Sequence, residues 1–236
     1  MSRHRVVCYG DSITQRGHDI DTGGWLSVIQ SNYCRAVDIV NRGYSGYNTD
    51  WLLEHFDDLK SDFDGARLIF ILMGANDSAS DVQHVPIDRF KSNIIQLVNR
   101  CKEAGGGNVV LITTPWVDGD AWKTFSEDGT TSSNKEPNRN EHTARKYSIA
   151  GKPDQTLTTV AYNDYNLVSE AAQELNIDSI PLFDAMFNFG TDRSSLLCDG
   201  LHLSAIGNRL LVDLVDPYLS VIGQDQCPDW KVKAKL

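Results

Sequence analysis

No run of about eighteen apolar residues occurs in this chain, so no segment of it is expected to span a membrane. The opening stretch, MSRHRVVCYG from Met1, has basic residues but no apolar segment long enough for a signal peptide, and a cytoplasmic setting is the expectation. Cysteine is sparse: Cys8, Cys34, Cys101, Cys198 and Cys227 are odd in number and lack a C-x-x-C spacing. That pattern argues for reduced thiols and against a disulfide framework or a zinc ribbon. His4, His18, His55, His84, His142 and His202 include no H-x-x-x-H pair, so no metal site is expected. Positive charge is also short. With 22 Lys and Arg against 32 Asp and Glu the net charge is -10, which disfavours nucleic acid as a partner, because phosphate binding needs a basic face. Solubility is the plain reading of that acidity. A phosphate loop is missing too: AGGG from Ala104 precedes a strand, no G-K-[ST] follows it, and it reads as a helix stop. No cofactor is expected. Finally, no Pro-, Gly- or Ser-rich linker divides the chain, and 236 residues with 41% hydrophobic content suffice for a single domain over 1–236.

What is present has a clear rhythm. Five apolar runs, continuous rather than alternating, read as buried strands: RVVCYG from Arg5, AVDIVN from Ala36, RLIFILMG from Arg67, NVVLITT from Asn108 and DSIPLFD from Asp178. Between them lie segments with helical spacing: GWLSVIQSNYC from Gly24, DRFKSNIIQLVNRCKEAGG from Asp88, TLTTVAYNDYNLVSEAAQEL from Thr156 and SAIGNRLLVDLVDPYL from Ser204. Strands alternating with helices predict an α/β fold of three layers, α/β/α, around a mostly parallel sheet. One segment breaks the alternation. From Trp116 to about Gln155 the chain is polar, which reads as a long, lid-like loop leaving the carboxyl end of the fourth strand. Ligands bind at that edge of open α/β sheets. Trp116, Trp122, Phe125 and Tyr147 are candidates either to line a cleft or to pin the loop down.

The carboxyl ends of the strands carry small and polar clusters. YGDSIT follows the first strand, NRGYSGYNT the second, GAND the third, and CDGLHLS stands near the end. Singly, each has a plain structural reading as a turn, a helix cap or a surface histidine. Together they supply the parts of an acyl-transfer site. Ser12 needs a base to become a nucleophile. His202 is that base, and Asp199, three residues earlier, can fold back to hold its tautomer. Oxyanion donors are the Ser12 N–H at a helix start, the backbone N–H at Gly46, and the Asn76 side-chain amide.

The order Gly-Asp-Ser, a glycine block, Gly-x-Asn-Asp, then Asp-x-x-His resembles the SGNH hydrolases, also called GDSL esterases/lipases. The name-giving residues fall on Ser12, Gly46, Asn76 and His202, with Asp199 as third triad member, and no block is missing from about Val6 to His202. GDSIT, GGW from Gly23, NRGYSGYNT and DGLHLS are similar to the isoamyl acetate-hydrolysing esterase group. The resemblance implies a flavodoxin-like, five-stranded parallel sheet, an intracellular enzyme without a metal, and small alkyl acetates as substrates. Sugar or lipid deacylation and thioester cleavage stay open, because the triad fixes the reaction and the pocket the substrate. A binding module that keeps the fold without catalysis is a rival, as is a flavodoxin-like nucleotide- or flavin-binding protein. The latter fits poorly, because Asp11 would face the phosphate.

Other chemistries account for fewer residues. GYSGY resembles the G-x-S-x-G elbow, but Tyr47 stands where its last glycine belongs, which weakens Ser45 as a nucleophile. Asp11 with Asp199 as a glycosidase pair would leave Ser12, Gly46 and Asn76 without a role. The chain ends in Ala234-Lys235-Leu236, which resembles variants of the Ser-Lys-Leu peroxisomal address, so a peroxisomal import receptor is a candidate partner. Pairing with a second copy as a homodimer is left open.

Overall fold

The computed structural model describes residues 3–126, 137–148 and 167–226. Strands β1 (His4–Gly10), β2 (Val37–Gly43), β3 (Ala66–Leu72), β4 (Asn108–Ile112) and β5 (Asp178–Ile180) form one sheet in the order β2-β1-β3-β4-β5. Every pairing is parallel. Helices α1 (Ser12–Gln15) and α2 (Trp25–Tyr33) follow β1, and α3 (Thr49–Glu54) and α4 (Phe56–Phe63) follow β2. The long α5 (Ile87–Glu103) joins β3 to β4. Between β4 and β5 lie α6 (Gly119–Ser126), α7 (Glu141–Ser148) and α8 (Leu167–Glu174), and α9 (Leu182–Phe187) and α10 (Ala205–Gln226) follow β5.

The continuous apolar runs are explained by burial on both faces. Val6, Cys8, Leu68, Phe70, Leu72, Val110 and Ile112 point to one side, where they meet Trp25 and Ile29 of α2, Phe183 of α9, and Leu211 and Val215 of α10. Their neighbours Val7, Tyr9, Ile69, Ile71, Val109 and Leu111 point to the other, against Leu52, Phe56, Phe90, Ile94 and Leu97. A strand's period of two serves both layers only if every position is apolar. In α5 the apolar residues recur on one face, Asp88 sits in the first turn, and Arg100 and Lys102 sit in the last, which suits the helix dipole at both ends.

Chain order and spatial order part company at β1. The connection from β1 leads to β2 on one side, and β3 then returns to the other side. The crevice between β1 and β3 at their carboxyl ends is therefore the topological switch point, where open α/β sheets bind ligands.

Two sequence expectations need correction. The run from Asp178 is strand for three residues only: β5 ends at Ile180, and Leu182 and Phe183 belong to α9. Pro181 has no N–H to continue a ladder, and it stands at the helix N-cap instead. The polar stretch from Trp116 is not loop throughout, because it contains α6 and α7. Its members 127–136 and 149–155 lie outside the described residues, as do 156–166 of the segment from Thr156 and the tail Ala234-Lys235-Leu236.

Candidate active site

Ser12 opens α1 directly after β1. Asp11 is the N-cap, and its Oδ1 accepts from the Ile13 N–H at 2.9 Å. This cap fixes the turn that carries the serine and leaves Ser12 almost buried, 4% exposed. Its Oγ lies 2.9 Å from His202 Nε2. On the far side of the ring, His202 Nδ1 lies 2.7 Å from Asp199 Oδ2. With the Nδ1 proton donated to the carboxylate, Nε2 is the acceptor for the Ser12 hydroxyl, a tautomer assigned by the network.

The spacing of three residues between Asp199 and His202 is a turn with its own hydrogen bonds. Asp199 Oδ1 accepts from the backbone N–H groups of Leu201, at 3.0 Å, and His202, at 2.7 Å. Gly200 is needed twice over. Its φ of +91° is left-handed, and a Cβ there would sit 2.3 Å from the Trp122 backbone nitrogen. The turn and α6 therefore pack backbone to backbone. Burial by itself would raise the Asp199 pKa. The hydrogen bonds from the His202 ring and backbone and from Leu201, with the charge of His202, outweigh it and hold the carboxyl below its ordinary range. Arg16 Nη1 approaches the same carboxylate at 3.6 Å.

Asn76 and Gly46 come to the same rim from β3 and β2. Gly10 is in register with Gly43 on one side and Leu72 on the other, and the Tyr44 N–H donates to the Gly10 carbonyl at 2.8 Å. Gly46 is third in a turn closed by the Tyr47 N–H on the Tyr44 carbonyl at 3.1 Å, and its φ of +83° is one that glycine adopts without strain. Asn76, 3% exposed, donates from Nδ2 to the Tyr47 carbonyl at 2.8 Å. An amide nitrogen carries two protons, and Tyr47 takes one of them.

Two further buried carboxylates flank these turns. Burial pushes Asp11 up to about 7 against the Ile13 hydrogen bond, with the neighbouring Asp77 adding to the rise. Asp77 is pushed up to about 7 by burial as well, although Thr49 donates to its Oδ1 from both backbone and hydroxyl. The Oδ2 atoms of both aspartates are buried without a partner among the described residues.

Of the aromatic candidates, only one stands beside the triad. The Trp122 ring is 6.0 Å from the His202 ring, nearly edge-on, and the Phe125 ring lies 5.8 Å from that of Trp122. Trp116 and Tyr147 are pins instead: Trp116 Nε1 donates to Glu141 at 2.7 Å, and the Tyr147 hydroxyl donates to the Val85 carbonyl. A hollow of about 400 Å³ beside α6 is bounded by Asp199 and Gly200, and neither Ser12 nor His202 lines it. Ser45, the alternative nucleophile, is exposed, and its N–H donates to Gln15 Oε1 at 2.8 Å. Among the described residues no group of three or more His, Cys, Asp or Glu could hold a metal ion, and no helix is long and apolar enough to cross a membrane.

Two residues without a motif belong to the site's frame. Arg139, from the polar insertion, is 4% exposed and donates to the Asn76 side chain, and Gln83 donates to both Asn76 and Gly46. Neither lies in a recognisable pattern, and an arginine in a polar stretch ordinarily reads as solvated.

A five-stranded parallel α/β sheet, with serine, histidine and aspartate hydrogen-bonded in series at its switch point, is the arrangement of a carboxylic ester hydrolase. The chain belongs to the GDSL-like lipase/acylhydrolase family, whose model matches residues 8–210. It is 31% identical to an isoamyl acetate-hydrolyzing esterase 1 homolog of Bos taurus, over 91% of this chain and 81% of that protein. It is 32% identical to a GDSL esterase/lipase of Arabidopsis thaliana, over 90% of this chain and 84% of that protein. The fold is shared with a lipase/acylhydrolase from Enterococcus faecalis, with a TM-score of 0.66 and 21% identity over 94% of this chain and 96% of that one. It is also shared with an acetylxylan esterase from Geobacillus stearothermophilus, with a TM-score of 0.62 and 18% identity over 92% and 94%.

Proposed function

We propose that this chain hydrolyses small carboxylic esters, acetates foremost, through an acyl-serine intermediate. The observation that carries the reading is the unbroken series Ser12 Oγ to His202 Nε2 at 2.9 Å and His202 Nδ1 to Asp199 Oδ2 at 2.7 Å. His202 takes the Ser12 proton as the oxygen attacks the ester carbonyl, and the ionised Asp199 stabilises the imidazolium that forms. The carbonyl oxygen becomes an oxyanion and accepts from the Ser12 and Gly46 N–H groups and from Asn76 Nδ2. The tetrahedral intermediate collapses, the alcohol leaves with the proton from His202, and the acyl group stays on Ser12. Water, deprotonated by the same imidazole, then releases the acid and restores the serine.

Small acyl groups are favoured by the Trp122 ring standing 6.0 Å from the base, and the names of the isoamyl acetate-hydrolyzing relatives support acetate. The test is turnover of p-nitrophenyl esters from acetate to palmitate, with Ser12→Ala beside the wild type. A short-chain optimum that vanishes in the variant is expected. A long-chain optimum would overturn the substrate class, and activity surviving in Ser12→Ala would overturn the mechanism.

A further inference from the structure

We propose that Arg139, acting with Gln83, is a positioning residue that holds and polarises the Asn76 oxyanion donor and pins the backbone that follows the Gly46 donor. The inference rests on the reading of Asn76 and Gly46 as those donors. Arg139 is a nearly fully buried cation, and its hydrogen bonds go to neutral oxygens. Its Nε donates to the Ala75 carbonyl at 3.1 Å, and its Nη2 donates to Asn76 Oδ1 at 3.1 Å and to Gln83 Oε1. Gln83, oriented by that contact, donates from Nε2 to the Gly46 carbonyl at 2.7 Å and to Asn76 Oδ1 at 3.3 Å. One guanidinium therefore fixes the Asn76 amide directly and, through one amide, the Gly46–Tyr47 peptide that follows the Gly46 N–H.

Burial of a charge is costly, and a structural pin could be built from an uncharged side chain. The charge earns its place by where it points. A cation on Oδ1 draws electron density out of the amide and makes its N–H groups stronger donors, and this polarisation is worth more at low dielectric. One of those N–H groups is spent on Tyr47, and the other is the one assigned to the oxyanion. The guanidinium also lies over the Trp122 ring, 5.2 Å from its centroid, and Trp122 stands beside His202. Arg139 thus links the polar insertion to both halves of the site. Burial lowers its pKa, yet an arginine remains charged at any working pH.

The test is a double-mutant cycle on p-nitrophenyl acetate: wild type, Arg139→Lys, Asn76→Ala and the double variant, each with kcat, KM and Tm. Lysine keeps the charge but cannot reproduce the planar fork. Arg139→Lys should lower kcat by about 10- to 100-fold, the size of a lost charge-assisted hydrogen bond, with KM nearly unchanged. In the Asn76→Ala background the same change should cost less than about threefold, because the group it acts through is gone. Full additivity, or a rise in KM at constant kcat, would overturn the inference while leaving the oxyanion assignment standing. An Asn76→Ala variant with undiminished kcat would overturn that assignment, and the inference with it. If Arg139→Lys does not fold, Gln83→Ala substitutes for it: a lower kcat at unchanged KM and Tm supports the clamp, and an unchanged kcat contradicts it.

Discussion

His202 Nε2 lies within 2.9 Å of Ser12 Oγ across 190 residues of sequence, and the sheet order accounts for it. Ser12 starts where β1 ends, at the switch point beside β3, and the turn that holds His202 immediately precedes α10, which packs against the face of the sheet that carries α2. The hydrogen bond is therefore a product of topology, and it sets the His202 imidazole against the Ser12 hydroxyl. Its energetic support comes from Asp199, whose ionised form the His202 and Leu201 hydrogen bonds favour against the cost of burial.

Asp199→Asn should leave the fold intact and lower kcat by about 10³- to 10⁴-fold, because the amide no longer selects the tautomer in which Nε2 accepts. Steady-state kinetics on p-nitrophenyl acetate, with circular dichroism as the control for folding, checks this. Loss of less than tenfold would mean that the Leu201 and His202 backbone contacts, which an amide oxygen can still make, are the main role of Asp199.

Asn76→Ala should lower kcat by about 10²-fold or more with little change in KM, since the donor acts only once negative charge has formed on the substrate oxygen. If KM rose and kcat held, Asn76 would be a ground-state binding residue.

Asp77→Asn should alter the pH dependence of stability. In the unfolded chain this carboxyl titrates near about 3.9. In the folded protein burial pushes it up to about 7, so between these values the native state keeps a proton that the unfolded state has lost. Stability should therefore fall as pH rises from about 4 to about 7 and stay reduced above that. An asparagine keeps an oxygen for both Thr49 donors and removes the buried charge. Relative to wild type, the variant should gain roughly 2–4 kcal/mol on going from about pH 4 to about pH 8. Urea melts at the two pH values measure it, and parallel curves for both proteins would contradict the account.

Trp122→Ala should open the site beside His202 and raise kcat/KM for p-nitrophenyl hexanoate relative to acetate by about tenfold, the scale set by a few methylenes in an apolar pocket. An unchanged ratio would remove Trp122 from the acyl-binding wall.

Much of this arrangement is legible in the sequence, for definite reasons. β1, β3 and β4 are buried on both faces over 6–10, 68–72 and 109–112, so these residues are apolar without a break, and the chain turns polar where each ladder stops. Ser12 and Asn76 are the chemically distinctive members of the turns after β1 and β3, Gly46 of the turn after β2, and Asp199 and His202 of the turn before α10. The end of β5 is not legible, because Leu182 and Phe183 after Pro181 are as apolar as a strand yet belong to α9. Strand order is invisible to periodicity, since the same runs satisfy several parallel topologies. Arg139 and Gln83 could not be found at all: their burial depends on tertiary contacts with Asn76 and Gly46, and nothing in an irregular polar stretch signals which side chain turns inward.

The most direct test of the central claim is covalent. A fluorophosphonate reacts with a serine only where a base and an oxyanion pocket converge on it. Treating the protein with an alkyl fluorophosphonate and mapping the adduct by peptide mass spectrometry should find one phosphonylated residue, Ser12, with labelling and loss of esterase activity advancing together. Inactivation with Ser12 unmodified, or an adduct at Ser45 instead, would contradict the account.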